Sequence, residues 1–282
     1  MNGLKTTLLL ALMSGLFVVG GSALGGQRGM TMGLVIAVVM NFVSYFMSEK
    51  IALASSGAVR VSDSQNPDVY WRIAPMVKRL CERMELPEPK LWVIPEDAPN
   101  AFATGRNPNH SSVAVTMGLL KLMNDDEIEG VIAHELGHIK NRDILISSIA
   151  ATMGAAITYL AHFAMFFGGR RDDDDAPNPI VAILTMLLAP LAAALIQMAI
   201  SRTREYGADA AAAKYTGSPR GLVSALTKLE GYSKRIPMDV SPAMSHMYII
   251  KPFTGQSLAR LFSTHPATEE RIARLNQLGQ AA

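Results

Sequence analysis

Four long apolar runs set the strongest constraint on how this chain can fold. They cover residues 4–20, 30–47, 144–167 and 180–200, and each is close to the length that crosses a bilayer as a helix. The chain has 49% hydrophobic and only 18% charged residues, with a mean hydropathy of +0.20, which is too apolar for an ordinary soluble protein. The sequence therefore predicts an α-helical integral membrane protein.

The four runs are predicted to form two transmembrane hairpins, and each hairpin has an alternative. The run at residues 4–20 could instead be a signal peptide, because small residues follow it, although the short turn before the second run favours two retained spans. In the second pair, His162, Pro190 and Gln197 weaken the apolar character. A peripheral or re-entrant hairpin therefore stays open there.

The distribution of charge predicts where the polar parts lie. Residues 49–143 and 201–282 each hold eleven of the 26 lysines and arginines, so the positive-inside rule puts both in the cytoplasm. The single Cys81 excludes an internal disulfide framework and agrees with that location. A formal net charge of only +2 argues against a nucleic-acid partner. The predicted divisions are a transmembrane hairpin at 1–48, the first part of a catalytic domain at 49–143, a second hairpin at 144–200 and the second part of that domain at 201–282.

The pattern His-Glu-Leu-Gly-His at residues 134–138 predicts a metal site on a helix. At 3.6 residues per turn, His134 and His138 lie on the same face, so both imidazoles can reach one ion. Glu135 can then take a proton from a water beside that ion. The alternative is a surface helix with two histidines by accident, but a chance match in a chain this long is on the order of one in a hundred.

Local patterns predict the elements around this site. Asn124 and Glu127 form a capping box at the start of the helix that carries the histidines. Asn66 is predicted to cap a helix over residues 67–84, which Pro75 should kink or restart. Strands are predicted at residues 59–61, 90–94 and 112–117, with a loop or short strand at 100–105.

The third ligand is expected just after the fourth apolar run. Glu205 and Asp209 are four residues apart in a predicted helix and share a face. Glu205 can be the carboxylate ligand, and Asp209 can accept a hydrogen bond from the far nitrogen of a ligand histidine. A solvated face beside the membrane is the alternative. Straight helices would place the metal about 7 to 9 Å beyond the ends of the third and fourth runs.

Four motifs in this order resemble the HtpX family of membrane metalloproteases, relatives of the CAAX prenyl endopeptidases. The resemblance covers essentially the whole chain, and it implies a mainly α, zincin-type (gluzincin) catalytic domain with a small β-sheet. The motifs are Asn-Ala-Phe-Ala-Thr-Gly at 100–105, the metal-binding pattern with Asn-Arg-Asp at 141–143, Arg-Glu-Tyr at 204–206 and Ser-Thr-His-Pro at 263–266.

The resemblance also implies roles for individual residues. It assigns one zinc ion per chain to His134, His138 and Glu205, and general acid/base catalysis to Glu135. It implies that His265 lies near the substrate, where it stabilises an oxyanion, binds substrate or only caps the final helix. Residues 112–117 are a candidate edge strand beside the cleft, able to pair with an extended substrate. The candidate substrate-binding residues are Asn100, Ala101, Phe102, Val113 and Val115.

The expected function is therefore that of a zinc endopeptidase in the bacterial inner membrane. Its substrates would be misfolded or damaged membrane proteins cleaved at the cytoplasmic face, as part of membrane protein quality control and the stress response. Zinc transport is disfavoured because the ligands lie outside the apolar runs, and a purely structural zinc site has no need of Glu135. Processing of prenylated peptides stays open, as does cobalt or manganese in place of zinc.

Overall fold

The structure is a computed structural model that describes residues 2–149, 202–235, 249 and 266–280. Most of these residues are helical, and a small sheet lies in the first half of the chain. The helices are α1 Asn2–Phe46, α2 Ser48–Ser55, α3 Pro67–Met84, α4 Met117–Leu122, α5 Asp125–Lys140, α6 Arg202–Thr216, α7 Arg220–Arg235 and α8 Thr268–Gln280. The strands are β1 Val59–Arg60, β2 Lys90–Ile94, β3 Ala101–Asn107 and β4 His110–Thr116.

Helix α1 folds back on itself at Gly26, which has a φ of 57°. The side chain of Asn41 donates to the Oγ of Ser14 at 2.9 Å, although 27 positions would separate the two by about 40 Å along a straight helix. Its second half, Gly26–Phe46, is long and apolar enough to cross a membrane. The structure thus places the first two apolar runs side by side as a hairpin.

The sheet has the strand order β1-β2-β4-β3. Strand β4 is parallel to β2 on one side and antiparallel to β3 on the other, so both of its edges are paired. The prediction that residues 112–117 form an edge strand was therefore wrong. The edge strands are β1 and β3, and no strand among the described residues pairs with the outer side of β3.

The predicted elements are mostly present, with two corrections in helix α3. Strand β2 spans residues 90–94 as predicted, and β3 begins within the stretch predicted as a loop or short strand. Helix α3 continues through Pro75 without restarting, and the alternative of a kink at Pro75 stays a prediction. Asn66 precedes α3 with a left-handed φ of 56°, and its side chain donates to the carbonyl of Arg60 instead of capping the helix.

Helix α5 lies at the centre of the core. It packs against α3, α6 and α7, and against the sheet through β3 and β4. The predicted capping box is present, because Asn124 accepts from the backbone N–H of Glu127 and Glu127 accepts from that of Asn124. Six of its apolar side chains are completely buried, which fixes the rotation of α5 about its axis: Ile128, Val131, Ile132, Ala133, Leu136 and Ile139.

The third apolar run begins inside the protein core. Residues 144–149 are helical, and Ile144, Ile146 and Ile149 are buried. The remainder of this run and all of the fourth run lie outside the described residues, as does the polar turn between them.

Candidate metal centre

Helix α5 presents two imidazoles to one point. The Nε2 atoms of His134 and His138, one helical turn apart, lie 3.2 Å from each other. His134 is 1% exposed and His138 is partly exposed, so the pair lies at the edge of the core. The burial of the apolar face of α5 orients these side chains, because a rotation of the helix would expose that face.

Helix α6 brings the carboxylate of Glu205 to the same point. Its oxygens lie 3.7 Å from His134 Nε2 and 3.6 Å from His138 Nε2. Ligand atoms about 2 Å from a tetrahedral zinc ion lie about 3.3 Å from one another, so a small rotamer adjustment would fit an ion among these three. The donor set of two imidazoles and one carboxylate is also that of a catalytic zinc site with an open fourth position.

Each histidine has a carboxylate at its other nitrogen. Asp209 Oδ1 lies 3.0 Å from His134 Nδ1, and Asp143 Oδ2 lies 3.4 Å from His138 Nδ1. A proton on each Nδ1 then points at a carboxylate, which leaves both Nε2 atoms free to bind metal. The sequence had suggested this role for Asp209. Asp143 lies in one of the motifs, but its contact with His138 is evident only from the structure.

Sequence reasoning missed Arg271, the largest fully buried side chain in the described residues. Its guanidinium binds both carboxylate oxygens of Asp209, at 2.9 and 2.7 Å, and lies 3.6 Å from Glu205. It also donates to the carbonyl of Ile249. The sequence feature that could have indicated its burial is the spacing of four residues between Arg271 and Leu275. The two share the buried face of helix α8, where an apolar residue would be expected at position 271.

The charges around the site set its protonation states. Burial raises the pKa of Asp209, but Arg271 and His134 outweigh it and hold that pKa at about 2, so Asp209 stays an acceptor at neutral pH. Burial lowers the pKa of His138, but Asp143, Glu205 and Glu135 raise it to about 9. A metal ion that binds at Nε2 of His138 therefore displaces a proton.

Glu135 lies beside the three candidate ligands and is not part of the cluster that could hold a metal ion. Burial raises its pKa, and this effect exceeds the opposing influence of His134 and His138. Its Oε2 accepts a 2.8 Å hydrogen bond from the backbone N–H of Ala103 in strand β3. The carboxylate is thus fixed between the metal ligands and the edge strand, and its raised pKa makes it a stronger base than an exposed glutamate.

The candidate substrate-binding residues fall into two groups. Val113 and Val115 are 1% and 0% exposed in the interior strand β4, so the structure contradicts a direct substrate contact by either. The others, Asn100, Ala101 and Phe102, are equally buried, at 3%, 0% and 4% exposed, and differ only in lying at the start of an edge strand. The side chain of Asn100 accepts from the backbone N–H of Ile249, and Phe102 packs in a small cluster with Leu53 of helix α2. Ala101 is the first residue of β3.

His265 lies outside the described residues, which resume at Pro266. Its predicted position beside the substrate therefore stays a prediction.

Comparisons with known proteins agree with this geometry. The model of Peptidase family M48 matches residues 69–278. Two proteins described as "Protease HtpX homolog" are similar over nearly the whole chain: the one from Methylibium petroleiphilum is 52% identical, covering 97% of this chain and 96% of the relative, and the one from Desulfatibacillum aliphaticivorans is 53% identical, covering 97% and 89%. The crystal structure of S. mikatae Ste24p has a TM-score of 0.52 at 21% identity, and covers 98% of this chain and 65% of its own, which shows a common fold.

The helix with two histidines, the glutamate from a later helix and the match to the peptidase family model together define the class of metallopeptidases. The chain belongs to peptidase family M48, in its HtpX group.

Proposed function

We propose that this protein is a membrane-anchored zinc endopeptidase that cleaves misfolded or damaged membrane proteins at the cytoplasmic face. The observation that supports it best is the position of Glu135, next to the three ligands and bonded to the edge strand. A structural or transport site would have no use for a buried base at this position. Proteolysis uses it directly.

In the proposed reaction, Glu135 removes a proton from the attacking water and later passes it to the leaving nitrogen. His134, His138 and Glu205 would hold the zinc, which supplies Lewis-acid polarisation of the scissile carbonyl and lowers the pKa of water. Asp209 and Asp143 keep the two imidazoles in the tautomer that binds metal through Nε2. We assign to His265 a hydrogen bond to the developing oxyanion.

Strand β3 is the proposed substrate-binding edge, in place of the strand predicted from the sequence. The N–H of Ala103 points away from β4 and towards Glu135, so the N–H and C=O of alternate residues of β3 face away from β4. Glu135 already accepts from Ala103 and Ser148 accepts from Gly105, so the proposed pairing site is the start of the strand, at Ala101. An extended peptide that pairs with these groups is held by its backbone. Backbone hydrogen bonds of this kind depend little on the side chains of the substrate, so we expect broad sequence specificity.

The proposed location follows from the apolar hairpin and the charge distribution. Helix α1 supplies a membrane anchor, and the excess of lysine and arginine in residues 49–143 and 201–282 favours a cytoplasmic catalytic domain. We propose a multi-pass protein of the bacterial inner membrane.

The proposed activity is tested by removing and restoring the metal. Detergent-purified protein loaded with zinc should cleave an unfolded soluble protein such as casein, as well as a misfolded single-span membrane protein. Chelation should abolish both activities, and zinc should restore them. Cleavage at an unchanged rate by chelated protein with no remaining metal would refute the proposal.

A further inference from the structure

A cleft next to the end of the apolar hairpin is separate from the candidate metal centre. It has a volume of about 470 Å³, which is within the roughly 300–1,000 Å³ of small-molecule sites. Its lining residues come from helix α2 and from strands β1 and β2, and the three candidate metal ligands are not among them. The side chains that characterise it are those of Glu49, Lys50, Leu53, Arg60, Lys90 and Trp92.

The charges that line this cleft are mainly positive. Lys50, Arg60 and Lys90 are cations, and Glu49 is the one acid among the described residues that line it. The Glu49 carboxylate already accepts a 2.7 Å hydrogen bond from the Ser112 hydroxyl and lies 3.6 Å from the Lys90 ammonium. The cleft therefore has an excess of positive charge, which attracts an anion.

Trp92 positions one of these cations. The guanidinium carbon of Arg60 lies 5.4 Å from the centroid of the Trp92 ring, which is the distance of a cation–π interaction. The indole N–H donates to the Ser112 hydroxyl at 3.0 Å, and that hydroxyl donates to Glu49. The aromatic wall of the cleft is thus held by hydrogen bonds, and Arg60 is placed against it before any anion binds.

The cleft lies at the level where lipid headgroups are expected. The N–H of Ile51 donates to the carbonyl of Met47, so the helical hydrogen bonds continue past the end of α1 at Phe46. Lys50 is four residues beyond Phe46, which corresponds to about 6 Å along a helix. The headgroup layer on each side of a bilayer is about 5 to 8 Å thick. A span that ends at Phe46 therefore places Lys50 among the headgroups.

We propose that this cleft binds the phosphate group of an anionic phospholipid. This inference rests on the proposed anchoring of α1 in a membrane. Lys50 and Arg60 bind the phosphate oxygens, and the acyl chains lie against Phe46 and Met47, which are 48% and 42% exposed. A zwitterionic lipid is disfavoured, because its own cationic group compensates the phosphate. A free phosphate ion has the same anionic chemistry but makes no use of the apolar surface.

The experiment measures lipid binding to the full-length, detergent-purified protein. The protein is titrated with phosphatidylglycerol or with phosphatidylcholine of the same acyl chains, and native mass spectrometry counts the bound lipids. We expect one phosphatidylglycerol per chain to bind at least about 10-fold more tightly than phosphatidylcholine, because two cations near an anionic headgroup act together. Equal affinities for the two lipids would overturn the proposal.

Inorganic phosphate distinguishes a lipid site from a site for a soluble anion. It has no acyl chains, so it should displace phosphatidylglycerol only at a far higher concentration than the lipid itself. Displacement at the same concentration would assign the cleft to a soluble phosphate and would overturn the lipid assignment.

Removal of the two uncompensated cations should weaken binding of the anionic lipid. Each lysine or arginine close to an anionic membrane surface contributes about 5-fold in affinity, so the double variant Lys50→Gln/Arg60→Gln should bind phosphatidylglycerol at least about 10-fold more weakly. Its affinity for phosphatidylcholine should not change. Arg79→Gln/Lys121→Gln is the matched control, because it removes the same charge from surface ion pairs outside the cleft. Equal phosphatidylglycerol affinity in the two double variants would overturn the proposal.

Glu49→Gln should act in the opposite direction. It removes the acid that lines the cleft and keeps an acceptor for the Ser112 hydroxyl, so affinity for phosphatidylglycerol should rise by about 5-fold. A purely structural role of this cluster predicts no such gain. Unchanged or lower affinity in this variant would overturn the electrostatic basis of the site.

These measurements separate the lipid site from the proposed function, because lipid binding is measured without proteolysis. Selective binding of phosphatidylglycerol by protein that does not cleave casein would refute the proposed function alone. Casein cleavage by protein that binds both lipids equally would refute the lipid site alone.

Discussion

At the scale of single residues, the histidines are oriented by two carboxylates that contact the Nδ1 atoms of their rings. Asp209 and Asp143 do not reach the point where His134, His138 and Glu205 meet, yet each faces the Nδ1 of one imidazole. These contacts select the tautomer that can bind metal through Nε2. The site therefore contains acidic residues of two kinds, a candidate metal ligand and the partners of the two imidazoles. Substitutions should distinguish their effects on metal binding.

Substitution of Glu205 and Asp209 should have unequal effects on metal binding. Glu205→Ala removes a ligand atom and should abolish stoichiometric zinc binding. Asp209→Ala should weaken zinc affinity by roughly 10- to 100-fold while the site survives. Metal analysis and competition with a chelator measure both effects. Unchanged affinity in both variants would exclude helix α6 from the site.

Arg271 should affect zinc binding through Asp209. Arg271→Lys keeps the charge but loses the bidentate hydrogen bond to Asp209, so we expect zinc affinity to fall by about 10-fold. Arg271→Met should lower it further, because Asp209 then loses its charged partner. Gln277→Met, on the exposed side of the same helix, is the control. If Arg271→Met bound zinc as tightly as this control, Arg271 would have no positioning role.

At the scale of elements, the close approach of α5 and α7 holds the helix that carries the site. A Cβ at Gly221 would lie 2.3 Å from the carbonyl oxygen of Asp126, and one at Gly130 would lie 2.6 Å from the backbone nitrogen of Leu222. Only glycine allows the two backbones to come this close.

The pair Gly221→Ala and Gly231→Ala tests this contact within a single helix. Gly221→Ala should lower the free energy of unfolding by about 1–3 kcal/mol, because the backbones must separate. Gly231 has open space around its Cβ position, so Gly231→Ala should leave stability unchanged or raise it by up to about 1 kcal/mol. Chemical unfolding in detergent measures both. Equal effects of the two substitutions would show that the approach of α5 and α7 does not constrain the fold.

The sequence predicted what is local and missed what depends on distant partners. Helix α5, its capping box and strand β2 each follow from patterns within a single segment. The interior position of β4 does not, because it depends on β2 and β3 pairing on its two sides. The contact between Arg271 and Asp209 joins residues 62 positions apart, and periodicity within either helix says nothing about its partner.

At the scale of the whole molecule, the sheet next to the candidate metal site contacts the apolar hairpin and the helix that follows it. Arg106 contacts Phe46 at the end of α1, and Glu49 of α2 accepts a hydrogen bond from Ser112 in the sheet. The apolar hairpin and the sheet are therefore in direct contact. The site combines residues from both polar segments, 49–143 and 201–282, because helix α5 precedes the second predicted hairpin and helix α6 follows it.

The proposed orientation predicts which engineered cysteines a membrane-impermeant maleimide can reach. Gln27→Cys, in the turn of the α1 hairpin, should be labelled in sealed spheroplasts, whereas Glu82→Cys, on the exposed face of α3, should need lysis. Burial, with a smaller contribution from Glu88, raises the pKa of Cys81 to about 12, so the wild-type protein should give little background. Ready labelling of Glu82→Cys in sealed spheroplasts would show that residue 82 lies outside the cytoplasm and would contradict the proposed topology.

The central claim is that Glu135 performs the proton transfers at a zinc site it does not help to form. The most direct measurement compares zinc content and casein cleavage in Glu135→Gln and wild-type protein. Glutamine has nearly the same shape but cannot accept the proton, so the variant should bind one zinc per chain and lose cleavage by at least about 100-fold. Glu129→Gln, on the same helix and paired with Arg79 at the surface, should behave like wild type. Zinc-loaded Glu135→Gln protein that cleaves casein at the wild-type rate would contradict the account.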